Sequence, residues 1–168
     1  NLPETCLLIS QPAEDELQHW PVQELLQQVW RRLFHAVIDR ELQRKLSGPS
    51  ERAEIQRRIA GLGQVAFDEA HFVLRSETRL VDPESRTEAW REFCAMYLEL
   101  RWFEPDLLKV WFPSLTETRS VDVLLESDVA GEQIFEKTRL YGAPSPDLTT
   151  HLQRDEERLV STRREWFL

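Results

Sequence analysis

The sequence predicts an all-α protein, a compact bundle of about six or seven helices followed by a linker and a final helix. Two observations carry this expectation. Between Val22 and Leu46 the residues Val22, Leu25, Leu26, Val29, Trp30, Leu33, Phe34, Val37, Ile38, Leu42 and Leu46 recur at steps of three and four, which places them on one broad stripe of an α-helix. Strand signals are nearly lacking, with no long alternating pattern and no Asn-Gly or Asp-Gly hairpin turn. A chain of 168 residues has room for one domain with a sizeable core and is short for two. The expected organisation is an N-terminal arm over 1–13, a helical core over 14–140, a linker over 141–149 and a C-terminal helix over 150–168.

The elements follow in order. Thr5 to Ser10 forms a short apolar run, and Glu14 to Trp20 has room for one or two helical turns. Pro21 suits the first turn of the long helix, where its missing N–H costs nothing, and Gly48-Pro49 stops that helix. Ser50 is an N-cap candidate for a second helix reaching about Ala60, with Ile55 and Ile59 inward and Gly61 and Gly63 as breakers. A third helix spans about Gln64 to Glu77. Ser85 or Thr87 starts a fourth, carrying Trp90, Phe93, Cys94, Tyr97, Leu98 and Trp102. The first and fourth helices should pack together as the centre of the fold. Pro105 allows a fresh start, and Leu107, Leu108, Trp111 and Phe112 give one apolar turn before Pro113. Two short helices over Ser120–Glu126 and Gly131–Arg139 take Ser120 and Asp128 as cap candidates. Tyr141 to Pro146 is rich in Gly, Pro and Ser, and beyond it Leu152, Leu159 and Val160 form the thin apolar edge of a charged helix.

Composition excludes several classes of partner. Apolar residues make up 41% and charged residues 30%, which suits a folded soluble protein rather than a disordered one. No apolar run approaches the roughly 18 residues that span a bilayer, and no secretory signal is visible. The net charge is −9, and the one locally basic region, Arg31 to Arg58, alternates with Asp39, Glu41, Glu51 and Glu54 as in helix-surface ion pairing. Nucleic acid and membrane are therefore not expected partners. Cys94 lies in an apolar helical stripe and Cys6 in an apolar segment far from it, so the expectation is two reduced thiols in a cytoplasmic protein. The chain starts at Asn1 and closes on Trp166-Phe167-Leu168, which suggests a piece of a longer polypeptide.

Four constellations bear on chemistry. Asp68-Glu69-Ala70-His71 spells the acidic box of a helicase class, but no Gly-x-x-x-x-Gly-Lys-Ser/Thr loop accompanies it and its surroundings are helical. Glu16/His19 and Asp68/His71 have the i, i+3 spacing of carboxylate–histidine metal ligands in helical bundles, with Glu92 and Glu99 as imaginable partners. Asp where the pattern wants Glu, a first pair abutting Trp20-Pro21, and the expectation that Glu92 and Glu99 lie beside the apolar stripe rather than within it weaken that set. His35 and Asp39 share a helix flank near Arg31 and Arg32. This suits a surface ion pair better than a general base, because no nucleophile completes the unit. His151 has no visible partner in the sequence.

The fourth constellation is aromatic. Of the six Trp residues, Trp30, Trp90 and Trp102 fall on core stripes, whereas Trp111-Phe112 and Trp166-Phe167 sit in short or terminal segments. Those four residues are the candidates for contact with a partner. The function expected is a non-catalytic helical protein-interaction or scaffold domain of a larger cytoplasmic protein. It uses no cofactor and binds another protein or a neighbouring domain. The alternative is a metal- or small-ligand-binding bundle, an oxidoreductase or sensor, built on Asp68 and His71.

Overall fold

A computed structural model describes Leu7 and residues 20–146. The expected terminal features, namely the 1–13 arm, the Glu16/His19 pair, the C-terminal helix over 150–168 and its Trp166 and Phe167, lie outside the described residues, apart from Leu7. Among those described there are seven α-helices and no strand: α1 Val22–Leu46, α2 Glu51–Leu62, α3 Gln64–Ser76, α4 Arg86–Phe103, α5 Leu108–Trp111, α6 Thr118–Glu126 and α7 Gly131–Thr138, with a single 3₁₀ turn at Pro105–Leu107 before α5. The fold is an all-α bundle.

The centre is α4. Every residue from Phe93 to Leu100 is buried, so this helix is enclosed on all sides and shows no solvated face over two turns. That accounts for the near-continuous apolar run in the sequence, and for the interest of Glu99 inside it. Ser85 caps the helix, its Oγ accepting the Glu88 amide at 3.2 Å, while the Glu88 carboxylate reaches back to the amides of Val81 and Asp82. The most extensive helix–helix contact in the fold is between α1 and α4, as the apolar stripes require. From α1, Trp30, Phe34, Ile38, Leu42 and Leu46 are buried at the steps of four that the stripe prescribes. On the remaining sides of α4 lie α2, α3 and α5, while α7 closes over α1.

Several local expectations change. Pro21 precedes α1 as its cap position, and its carbonyl accepts the amides of Glu24 and Leu25. Ser50 occupies the cap of α2 without a side-chain bond. Gly61 does not break α2. It lies within the helix because a Cβ there would stand 3.2 Å from Leu124 Cδ1, so the missing side chain lets α6 approach. The break falls at Gly63, whose φ of +99° suits glycine. Ser120 lies inside α6 and donates to the Glu117 carbonyl rather than capping the helix. Part of the expected linker is fastened down: Ala143 is buried, Arg139 donates to its carbonyl, and Gly142 sits against Leu26 of α1.

Candidate functional site

The densest set of interacting charges lies in the seam between α1 and α4. Arg31, His35 and Asp39 follow one another at steps of four along α1, and Arg91, Glu92 and Glu99 face them from α4. Glu99 is the hub: one oxygen accepts from Arg31 Nε, and the other lies 2.7 Å from His35 Nδ1. His35 Nε2 is 3.2 Å from a Glu92 oxygen, and Arg31 Nη1 is 2.7 Å from Glu104 just past the end of α4. Asp39 pairs more loosely with Arg91, at 3.5 Å. The His35 side chain keeps 16% of its surface exposed and Glu99 only 6%, so these charges interact through protein more than through water.

The electrostatics follow from that enclosure. Burial alone would lower His35, but its hydrogen bonds to Glu92 and Glu99, with their charges, push it up to about 9. Burial would raise Glu99, yet the hydrogen bond with His35 and the charge of Arg31 hold it down at about 2. Burial dominates at Asp39, which stands above the usual carboxylate range despite Arg91. The sign of the pH dependence is fixed by these shifts. His35 is raised above its ordinary 6.5, so its contribution is complete below that pH and is lost as pH rises through about 9. Glu99 is lowered from 4.5, so its contribution is complete above 4.5 and is lost as pH falls through about 2. Stability should therefore peak between about pH 4.5 and 6.5 as far as this pair is concerned. Urea denaturation across pH 3 to 10 checks this, and a profile unchanged by His35→Gln would contradict it.

This arrangement binds protons and holds helices together. Both nitrogens of His35 face carboxylate oxygens, and Glu99 and Glu104 are paired with the Arg31 guanidinium. No group of three or more His, Cys, Asp or Glu among the described residues is placed to hold a metal ion. The ion pair expected for His35 is present, but its partners stand on α4 rather than at Asp39. Glu92 and Glu99 converge on His35 and not on His71.

Asp68 and His71, both on α3, have partners of their own. Asp68 accepts from Gln64 one turn earlier at 2.6 Å, and His71 Nε2 lies 2.8 Å from the Pro83 carbonyl. The box Asp68-Glu69-Ala70-His71 is helical throughout, and its Glu69 has a structural task. That carboxylate accepts from both the amide and the hydroxyl of Ser114, at 2.9 and 2.5 Å, tying α3 to the chain after α5.

Trp111 and Phe112 part company. Phe112 is 1% exposed and meets Phe93 edge-on at 5.3 Å, so its ring belongs to the core and cannot be offered to a partner. The reason is local: α5 is a single turn, and the next residue turns inward under α4. Trp111 is partly buried and packs against the core, while its neighbour Val110 is 61% exposed. Sequence reasoning missed the companions on α3, Phe72 at 71% and Val65 at 75% exposure. They stand two turns apart on one face with Glu69 between them, and that spacing was a usable signal.

Asp128 is a buried clamp rather than a cap. Its two oxygens take Arg58 Nε and Nη2 at 2.5 and 2.6 Å, while Lys45 bonds the Ser127 and Asp128 carbonyls, so α1, α2 and the turn before α7 meet there. Cys94 is a fully buried free thiol nearby, raised well above its ordinary value by burial first and by Asp128 second, so it is inert as a nucleophile. Burial and the hydrogen bond to Asp122 likewise raise Tyr97.

No protein family, curated protein or solved structure matches the chain. The class the fold defines is that of all-α helical bundles, and no helix among the described residues is long and apolar enough to cross a membrane.

Proposed function

We propose that this chain is a non-catalytic helical protein-interaction or scaffold domain of a cytoplasmic protein, whose partner, another protein or a neighbouring domain, docks on the outer face of α3 and at α5. The observation that supports this is the exposure of Val65 and Phe72 on α3 and of Val110 next to the partly buried Trp111. The Glu69–Ser114 bonds fasten the α3 face to the chain three residues past Trp111. An exposed Phe gains nothing for the fold, and aromatic side chains are the ones that carry binding energy when a partner covers them. The buried free thiol of Cys94 agrees with a reducing compartment. Trp166 and Phe167 enter the proposal as further contact residues on the sequence argument alone.

Photo-cross-linking from position 72 in the full chain, in native extract, tests the reading. Tyr141, fully exposed near the C-terminal end of the described residues, serves as the control position. The expected result is one recurring cross-linked peptide from position 72 and none from 141, lost when Val65 is replaced by Asp. Phe72→Asp should leave stability within about 0.5 kcal/mol, since the side chain is mostly in water. Scattered cross-links of equal yield at both positions would sink the docking face. Mass spectrometry of the native protein purified without chelator separates the metal- or ligand-binding alternative, which requires added mass.

A further inference from the structure

The two ring nitrogens of His35 both face carboxylate oxygens, Nδ1 toward Glu99 and Nε2 toward Glu92. An ionised carboxylate accepts hydrogen bonds and cannot donate them. A neutral imidazole would therefore turn one lone pair against an oxygen, and only the doubly protonated ring satisfies both contacts. We propose that a proton on His35 is a structural component of the α1–α4 interface, so that this seam is a clasp which alkali opens. The neighbouring charges agree. Arg31 and Asp39 flank the ring on its own helix, and Arg91, Glu92 and Glu99 face it from α4, with Glu104 just beyond. Protonated, the seam sets Arg31, His35 and Arg91 against Asp39, Glu92, Glu99 and Glu104, three positive charges against four negative; deprotonated, it sets two against four.

Among the described residues, neither α2 nor α7 supplies the missing charge. Glu88 of α4 is turned to the Val81 and Asp82 amides. Helix α7 brings Ile134, Phe135 and Thr138 to the core, and the buried residues of α2 are Ile55 and Ile59, its Arg58 being held by Asp128. Placing the proton on Glu99 instead is opposed by Arg31, whose guanidinium favours the ionised carboxylate. The clasp joins the middle of α1 to the middle of α4, the two helices on which the rest of the bundle is laid. Losing its proton therefore loosens the centre of the fold rather than an edge.

Nitrogen NMR of the full chain labelled at histidine decides the matter, with His35 assigned by its loss in His35→Gln. At pH 8 an ordinary histidine is about 97% neutral, from its reference value of about 6.5. The expected result is that both His35 nitrogens still carry protons there, and that the ring titrates at least two pH units above the ordinary value. Glu92→Gln should bring that titration down while leaving the fold intact. A His35 nitrogen found unprotonated at pH 7.5, or a titration in the ordinary range, would overturn the proposal. A second readout follows unfolding. From pH 7 to 10 the native protein should lose its urea midpoint steadily, and His35→Gln should not. Equal losses in both would also overturn it. Should His35→Gln fail to fold, Glu92→Gln supplies the assignment by its selective shift of one ring, and the native titration still decides.

Discussion

Glu99→Leu should destabilise the bundle by about 3–5 kcal/mol, the cost of removing one partner from a buried charge cluster. The side chain is nearly the same length, so little of this comes from a cavity. The loss comes from what is left behind. Arg31 retains Glu104, but its Nε donor has no carboxylate, and His35 loses the shorter of its two hydrogen bonds within a seam mostly closed to water. The cluster is not thereby a large net contributor. Charges enclosed in protein spend most of their mutual attraction on lost hydration, so the intact seam stands near balance against an apolar one. The double variant His35→Leu/Glu99→Leu should therefore cost less than Glu99→Leu alone, because the imidazole left half-engaged is gone while Arg31 keeps Glu104. Urea denaturation of the three proteins at pH 6 measures this. A double variant less stable than the single one would show that the seam stabilises by direct attraction, and that the desolvation argument is wrong here.

That cluster also shows where sequence reasoning stops. The stripe on α1 was legible because helical geometry converts spacing directly into a face, and the buried residues Trp30, Phe34, Ile38, Leu42 and Leu46 follow it. His35 lies one residue off that stripe, and from α1 alone the nearest opposite number visible is Asp39, one turn on. Its true partners stand 57 and 64 residues away, and nothing in the local pattern fixes how α4 is rotated against α1. Glu99 was the available hint. A lone carboxylate inside the run from Phe93 to Leu100 must find a cation once the helix is enclosed, and Arg31 and His35 answer that need.

Glycine and aspartate misled for a related reason. Gly61 and Asp128 have the composition of a breaker and a cap, the roles such residues play most often in isolation. Their actual tasks depend on tertiary neighbours, Leu124 beside Gly61 and Arg58 opposite Asp128. The same holds for Phe112, whose single-turn helix looks terminal in sequence and is tucked beneath Phe93 in space. On the candidate docking face the packed side decides: α3 buries Phe67, Ala70 and Leu74 and leaves Val65 and Phe72 exposed.

Trp30→Ala should be as damaging as any single substitution in the chain, at about 4–5 kcal/mol. Trp30 is fully buried where α1, α4 and α7 meet. Its ring packs edge-on against Phe103 at 5.0 Å and at a tilt against Phe135 at 4.5 Å, and Arg139 lies over it at 5.3 Å. Its indole N–H is shared between the Phe135 carbonyl and the Thr138 hydroxyl, both at 3.2 Å, so the side chain also fastens the last turn of α7. Because α7 has only eight residues, too few to be helical by propensity, it depends on such contacts for its existence. The variant should therefore lose amide protection across Gly131–Thr138 before the α1–α4 pair opens. Trp30→Phe, which keeps a ring and drops the two hydrogen bonds, should cost about 1–2 kcal/mol with the same order of events. Hydrogen exchange followed residue by residue separates this from a general weakening of the core. If α7 and α4 lost protection together in Trp30→Phe, the indole would be acting through packing volume alone.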